Sequence, residues 1–384
     1  MSATTLAYLV TYCVFSLYTK QLGRQSDGAV LLLASMLACT VVWVLGLLVW
    51  EGWRRWTESN SARRDAAVLA HLRTQNIHIT PAVKPPPFSL HQLWQRLFHP
   101  DTLQAAAASA TILLASTLAY GQPDVSLLLP LLLMKGGPNI WGVLLSWLRG
   151  EGVTLRARVV LGLAVTAVVA VLWHKLDFHA QLGVGVALVC ASVYVLAYYP
   201  KLAVMSRYRG DVGFLVTEMT GTLLFAVPAA LALVMATAAW KHQPLTPMLG
   251  QVAHLMLNWK LWLMAIASEG AGLFGGLIFM ARMASALSVS INRCTSLLGG
   301  FLATLILWAG GRDVSWLRAV WDYITAPQNR PELVGVVAML LALLIGLGGR
   351  ERKGGAGGRG VGQKTKAVTE STVMWLPEAI TTPR

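Results

Sequence analysis

Four ionisable residues interrupt long apolar segments of this chain, namely Lys135, Glu218, Glu269 and Arg293. If those segments cross a membrane, a charge near the bilayer centre costs about 2.5–3.5 kcal/mol on insertion scales, so each one requires a partner or a function. A lysine and an arginine together favour an anion, because arginine can contact a phosphate or a carboxylate through two parallel hydrogen bonds. Glu269 and Glu218 can balance that positive charge or couple it to a proton. These residue types therefore predict an anion-binding site accompanied by charge-coupling carboxylates.

Two amides accompany the predicted cations. Asn292 directly precedes Arg293, and Asn139 follows Gly136–Pro138, a sequence that interrupts a helix and frees backbone groups beside a cavity or within packed protein. Amide side chains can both donate and accept hydrogen bonds. We therefore predict that Asn139 and Asn292 contact the bound group together with Lys135 and Arg293.

The same charges also have a structural explanation. Glu269 can neutralise either cation in an internal salt bridge that locks two helices together. Glu218 lies nearer to the end of its apolar segment, where a pair with Arg207 or Arg209 explains its presence equally well. The sequence leaves both interpretations open.

Transmembrane helices are the elements that must position these side chains. Hydrophobic residues make up 55% of the 384 residues, charged residues only 12%, and the mean hydropathy is +0.58, whereas soluble proteins carry about 25% charged residues. The apolar runs approach the roughly 20 residues that a helix needs to cross a bilayer. We therefore predict an all-α polytopic membrane protein.

The cysteines show no metal-ligand spacing and the common hydrolase and phosphate-loop motifs do not occur, so we expect no cofactor, no metal and no enzyme.

The apolar runs predict about ten spans. Of the 31 Lys and Arg residues, 21 fall in segments that are cytoplasmic when the N-terminus is inside and eight fall in outer loops, which predicts an N-in, C-in protein of the cell inner membrane. These loops account for the net charge of +14, so we expect no nucleic-acid partner. The predicted spans are Leu6–Tyr18, Ala29–Trp50, Leu103–Tyr120, Val125–Trp147, Ala157–Trp173, Leu182–Tyr199, Gly213–Trp240, Trp259–Ala281, Ser285–Ala309 and Leu333–Leu347.

Two cytoplasmic segments lie outside the predicted spans. The insertion 51–102 contains two amphipathic stretches, Ala62–Arg73 and Leu90–Phe98, which fit helices on the membrane surface as well as a linker with apolar contacts. The tail 349–384 is basic and contains a glycine-rich run, so we predict that it is disordered.

The predicted spans divide into two sets of five, in residues 1–175 and 176–348. The first span of each set ends similarly, with Tyr18-Thr19-Lys20 in one and Tyr199-Pro200-Lys201 in the other. Because five is an odd number, the two sets run in opposite directions across the membrane, as in carriers built from inverted repeats.

The most distinctive stretch, Leu127–Leu172, combines a helix containing Pro130, a Gly150-Glu151 turn and a last helix of small residues. In this progression the chain resembles the drug/metabolite transporter superfamily in its EamA-like, ten-helix form. The second set departs from the pattern, because its fourth span lacks the proline and its turn reads Gly-Gly-Arg-Asp. The resemblance implies a carrier that works by alternating access.

Together, the resemblance and the predicted site suggest a transporter of a small anionic metabolite or lipid-linked group, bearing a phosphate or a carboxylate, across the inner membrane. The substrate and membrane lipids are the expected partners, and a homodimer is left open. The alternative is a membrane scaffold or assembly factor that transports nothing and acts through the 51–102 loop and the C-terminal tail.

Overall fold

The computed structural model describes residues 3–74, 90–137, 155–175, 181–281, 285–310 and 315–347. Within these ranges the chain is helical and contains no β-strand, which confirms the predicted all-α class. A short 3-10 turn, Pro327–Asn329, precedes the last helix. The helices are α1 (Ala3–Gly23), α2 (Gly28–Thr74), α3 (Leu90–Leu97), α4 (Pro100–Gly121), α5 (Leu128–Gly137), α6 (Leu155–Lys175), α7 (Gln181–Arg207), α8 (Val212–Trp240), α9 (Leu245–Met256), α10 (Trp259–Met280), α11 (Ser285–Ala309), α12 (Trp316–Thr325) and α13 (Arg330–Leu347).

Seven helices in the described ranges are long and apolar enough to cross a membrane, namely α2, α4, α7, α8, α10, α11 and α13 with its preceding turn. This confirms a polytopic helical membrane protein. The other three predicted spans correspond to α1, α5 and α6. Within the described residues the apolar parts of α5 and α6 are shorter, at Leu128–Gly137 and Arg158–Ala170, and α1 carries many hydroxyl side chains along its length. Residues 138–147 of the fourth predicted span lie outside the described residues.

Helix α2 extends well beyond its predicted span. The span was expected to end at Trp50, but the helix continues without a break to Thr74. Ala62–Arg73 is therefore the last part of α2 and not a separate surface helix. Residues 51–74 contain no proline and are rich in alanine and arginine, which favour helix continuation.

Helix α3 confirms the second amphipathic stretch. Leu93 and Leu97 are buried, while Trp94 and Phe98 are exposed. The buried side faces α4 and α8, where Leu97 lies close to Gly221. The predicted amphipathic pattern therefore corresponds to a helix that packs one side against the bundle.

Helices from the two parts of the chain interlock. Helix α1 packs against α10 and α11, and α7 packs against α4, while α2 pairs with α8 and α6 pairs with α13. Helix α5 reaches the second part through Gly137, which lies against Val195 of α7, and through Leu131, which lies against Gly300 of α11. The core is thus formed between residues 1–175 and 176–348, not within each part alone.

Charge pairs mark the two ends of the bundle. At one end, called here the Asp101 end, Arg207 pairs with Asp101 at 3.2 Å and Arg96 pairs with Asp211 at 2.8 Å. At the other, called the Asp27 end, Lys241 pairs with Asp27. Each pair joins segments that the predicted topology places on the same side of the membrane.

Candidate functional site

A cavity of about 150 Å³ lies between α1, α4, α5, α7, α8, α10 and α11. Its walls combine apolar side chains with tyrosines, hydroxyls, one amide and four ionisable groups. The polar residues that line it are Tyr8, Tyr12, Ser109, Ser116, Lys135, Tyr194, Tyr198, Lys201, Glu218, Thr222, Ser268, Glu269 and Asn292.

The cavity occupies the half of the bundle toward the Asp101 end. On α7 its lining begins at Tyr194, in the last half of the helix, and on α8 it ends at Leu223, in the first half. Toward the Asp27 end, α1 and α4 are in close contact, because a Cβ on Gly23 would lie 2.2 Å from the Gly121 carbonyl oxygen. Lys20 strengthens this closure by donating hydrogen bonds to backbone carbonyls of the α4–α5 connection.

Lys135 lies in a cage of tyrosines. Its side chain is only 4% exposed, and its Nζ donates a hydrogen bond to the Tyr194 hydroxyl at 3.1 Å. The same Nζ lies 5.0 Å from the ring centroid of Tyr12 and 5.3 Å from that of Tyr194, within the range of cation–π attraction. Tyr12 is held in place by a 2.6 Å hydrogen bond between its hydroxyl and that of Tyr120. The tyrosines contact the Lys135 amine without forming an ion pair with it, so no carboxylate among the described residues occupies the position that an anionic ligand would take.

Glu269 lines the same cavity as Lys135 without bonding to it. Among the described residues no ion pair joins Glu269 to either Lys135 or Arg293. The Cys39 thiol lies beside its carboxylate. The internal salt bridge considered from the sequence is therefore not formed by these residues.

Glu218 belongs to a buried ion pair. Its side chain is 2% exposed and lies 3.2 Å from Lys201 Nζ, and it also accepts a hydrogen bond from the Ser109 hydroxyl. The partner considered from the sequence was Arg207 or Arg209, but Arg207 pairs with Asp101 instead. Lys201 was missed because it was assigned to a loop, whereas α7 continues through Pro200 as far as Arg207.

Arg293 lies behind the cavity wall. It is 8% exposed, its Cζ lies 5.2 Å from the ring centroid of Tyr198, and it is not one of the described residues that line the cavity. Tyr198 stacks on Tyr194 with ring centroids 5.9 Å apart, so Arg293 and Lys135 approach neighbouring tyrosines of α7. The two predicted cations are thus brought to one tyrosine pair, but only Lys135 reaches the cavity.

Of the two amides predicted as site residues, only Asn292 lies within the described residues. Asn292 lines the cavity and accepts a hydrogen bond from the Tyr8 hydroxyl at 3.3 Å. Asn139 lies outside the described residues. The tyrosines were not predicted as site residues, although Tyr8 and Tyr12, like Tyr194 and Tyr198, are spaced four residues apart, which places each pair on one helix face.

In the described part of the chain, no group of three or more His, Cys, Asp or Glu side chains could hold a metal ion. The described side chains that line the cavity can form ion pairs and hydrogen bonds. No protein family and no curated protein matches this sequence.

Proposed function

We propose that this protein is a membrane carrier that moves a small anionic solute or a lipid-linked anionic group across the inner membrane by alternating access. The observation that carries the proposal is Lys135, a nearly buried ammonium with no carboxylate partner among the described residues, which faces a cavity. An intramembrane charge of this kind indicates a substrate or ion pathway by default.

The proposed architecture is a ten-span inverted repeat with both termini in the cytoplasm. The contacts between helices support this repeat. If each helix is replaced by its counterpart in the other set of five, most contacting pairs of helices become pairs that are also in contact. Helix α1 packs against α10 and α7 packs against α4, while α2–α8 and α6–α13 pair counterparts with each other. In this scheme α1, α5 and α6 complete the ten spans alongside the seven long apolar helices.

In the proposed site, Lys135 binds the anionic group and Asn292, which lines the same cavity, adds a hydrogen bond. Glu269 balances or couples the charge of the bound solute, while Glu218 and Lys201 neutralise each other within the cavity wall. Arg293 acts through Tyr198, by adding positive charge behind the aromatic wall. The cavity lies in one half of the bundle, and the other end of the bundle is closed. This arrangement fits a carrier in a state that faces one side of the membrane.

Exchange in proteoliposomes tests the proposal, with labelled inorganic phosphate, glycerol 3-phosphate and succinate as probes. A hydrogen bond to a charged group contributes about 1.5–3 kcal/mol, so we expect Lys135→Ala to weaken anion exchange about 10- to 100-fold. Lys135→Arg should retain part of the activity because it keeps the charge. Lys260→Ala is the matched control, because Lys260 lies at the start of α10 with its Nζ 6.0 Å from the Trp259 ring centroid.

The carrier proposal fails if the wild type exchanges none of the anions, or if Lys135→Ala exchanges them as fast as the wild type does. A cellular phenotype that survives Lys135→Ala but disappears when residues 75–89 are deleted would instead support the scaffold alternative.

A further inference from the structure

The closed end of the cavity holds two opposite charges at nearly the same depth. Helices α1 and α10 run antiparallel in close contact, and a Cβ on Gly270 would lie 2.8 Å from the Thr11 side chain. Glu269 therefore lies within about one helical turn, roughly 5.4 Å, of the level of Tyr12, whose ring contacts Lys135. A carboxylate and an ammonium thus line the same cavity at a similar depth.

These two charges do not neutralise each other. In the described ranges Lys135 bonds to Tyr194 and lies against the Tyr12 ring, and Glu269 forms no ion pair. The other two charged groups that line the cavity, Glu218 and Lys201, already form a complete pair. The cavity therefore presents one ammonium and one carboxylate that have no ionic partner among these residues.

We propose that the solute is a small zwitterion whose oxyanion binds Lys135 and whose ammonium binds Glu269, an inference that rests on the carrier function proposed above. A solute with only an anionic group satisfies Lys135 but leaves the partly exposed Glu269 carboxylate in the cavity without an ionic partner. A solute with only an amine leaves Lys135 in the same condition. Because a charge inside an apolar bundle is unfavourable without an ionic partner, the site favours the zwitterion over both single-charge solutes.

Binding to the purified full-length protein in lipid nanodiscs tests this inference with two matched sets of probes. One set is 4-aminobutyrate, butyrate and butylamine, and the other is 2-aminoethyl phosphate, ethyl phosphate and ethylamine. We expect at least one zwitterion to bind about tenfold more tightly, or more, than both of its single-charge counterparts.

Substitutions at the two charges should remove this preference in opposite ways. Glu269→Gln should reduce the affinity for the zwitterion to that for the anion, and Lys135→Met should reduce it to that for the amine. Glu269→Asp, which keeps the carboxylate, should preserve the preference and guards against a loss caused by misfolding. Glu51→Gln is the matched control, because Glu51 pairs with Arg55 outside the cavity.

The inference is overturned if the anion binds as tightly as the zwitterion, if no zwitterion exceeds its single-charge counterparts, or if Glu269→Gln leaves the preference unchanged. Each of these results leaves the carrier proposal standing as long as Lys135-dependent anion exchange is observed in proteoliposomes. Loss of all anion exchange would reject the carrier proposal itself.

Discussion

The buried pair between Lys201 and Glu218 can be compared with an exposed pair in the same protein. Lys201 Nζ lies 3.2 Å from the Glu218 carboxylate, and the two side chains are 18% and 2% exposed. The pair between Arg96 and Asp211 is shorter, at 2.8 Å, but its side chains are 47% and 38% exposed. If the distance between the charges determines the strength of an ion pair, the exposed pair will be stronger. If burial determines it, the Lys201–Glu218 pair will be stronger.

Burial should dominate. At an effective dielectric constant of about 20, two unit charges at the Lys201–Glu218 distance attract by about 5 kcal/mol, whereas the Arg96–Asp211 pair in a water-like medium attracts by about 1.5 kcal/mol. Desolvation and the partial exposure of Lys201 reduce the first value, and screening and side-chain entropy reduce the second. We expect coupling energies of about 2–3 kcal/mol for the buried pair and below about 1 kcal/mol for the exposed one.

Double-mutant cycles measure both values. The variants are Lys201→Met with Glu218→Gln, and Arg96→Met with Asp211→Asn, where asparagine can still cap α8 as Asp211 does through the Phe214 amide. The free energy of unfolding is read from reversible titrations in mixed micelles. Coupling energies that agree within about 0.5 kcal/mol, or a larger value for the exposed pair, would refute the argument from burial.

Two further predictions concern the Asp27 end. Gly23→Ala should lower the free energy of unfolding by about 1–3 kcal/mol, because the added Cβ would collide with the Gly121 backbone. Gly46→Ala is the control and should be neutral or stabilising, because a Cβ at position 46 meets nothing within 4 Å. Equal thermal midpoints for the two variants would contradict this prediction. Burial raises the pKa of Asp27, but its hydrogen bond and charge interaction with Lys241 and its bonds to backbone amides outweigh burial and lower that pKa below its usual value of 3.8. A lowered pKa in the folded state stabilises the protein at pH values above the usual, unfolded pKa, and this stability is lost as the pH falls toward the folded pKa. Wild-type thermal stability should therefore fall more steeply than that of Asp27→Asn below about pH 4, and parallel curves would contradict the assignment.

The sequence was a good guide to which residues are unusual. A charge within an apolar run is expensive wherever the helix packs, so Lys135, Glu218, Glu269 and Arg293 could be identified from local sequence alone. The amphipathic helix α3 was predictable for a related reason, because its pattern of apolar residues needs only the helical period.

The sequence was a poor guide to the partners of these charges. Arg207 and Arg209 were considered as partners of Glu218, and Lys201 was not, because the predicted span ended at Tyr199 and left Lys201 in a loop. Helices in a membrane tolerate an internal proline, since neighbouring groups satisfy the freed backbone, and α7 therefore carries Lys201 into the bundle.

By itself, the sequence determined the class of the protein, the approximate positions of its long helices and the residues whose burial demands an explanation. Only the tertiary structure decided that Lys135 faces Tyr12 and Tyr194, that Glu218 pairs with Lys201, and that Arg293 lies behind Tyr198. The reason is that the cost of burying a charge depends on residue type and local hydropathy. Its partner depends instead on which helices approach closely, and that is set by the shapes of side chains far apart in the chain.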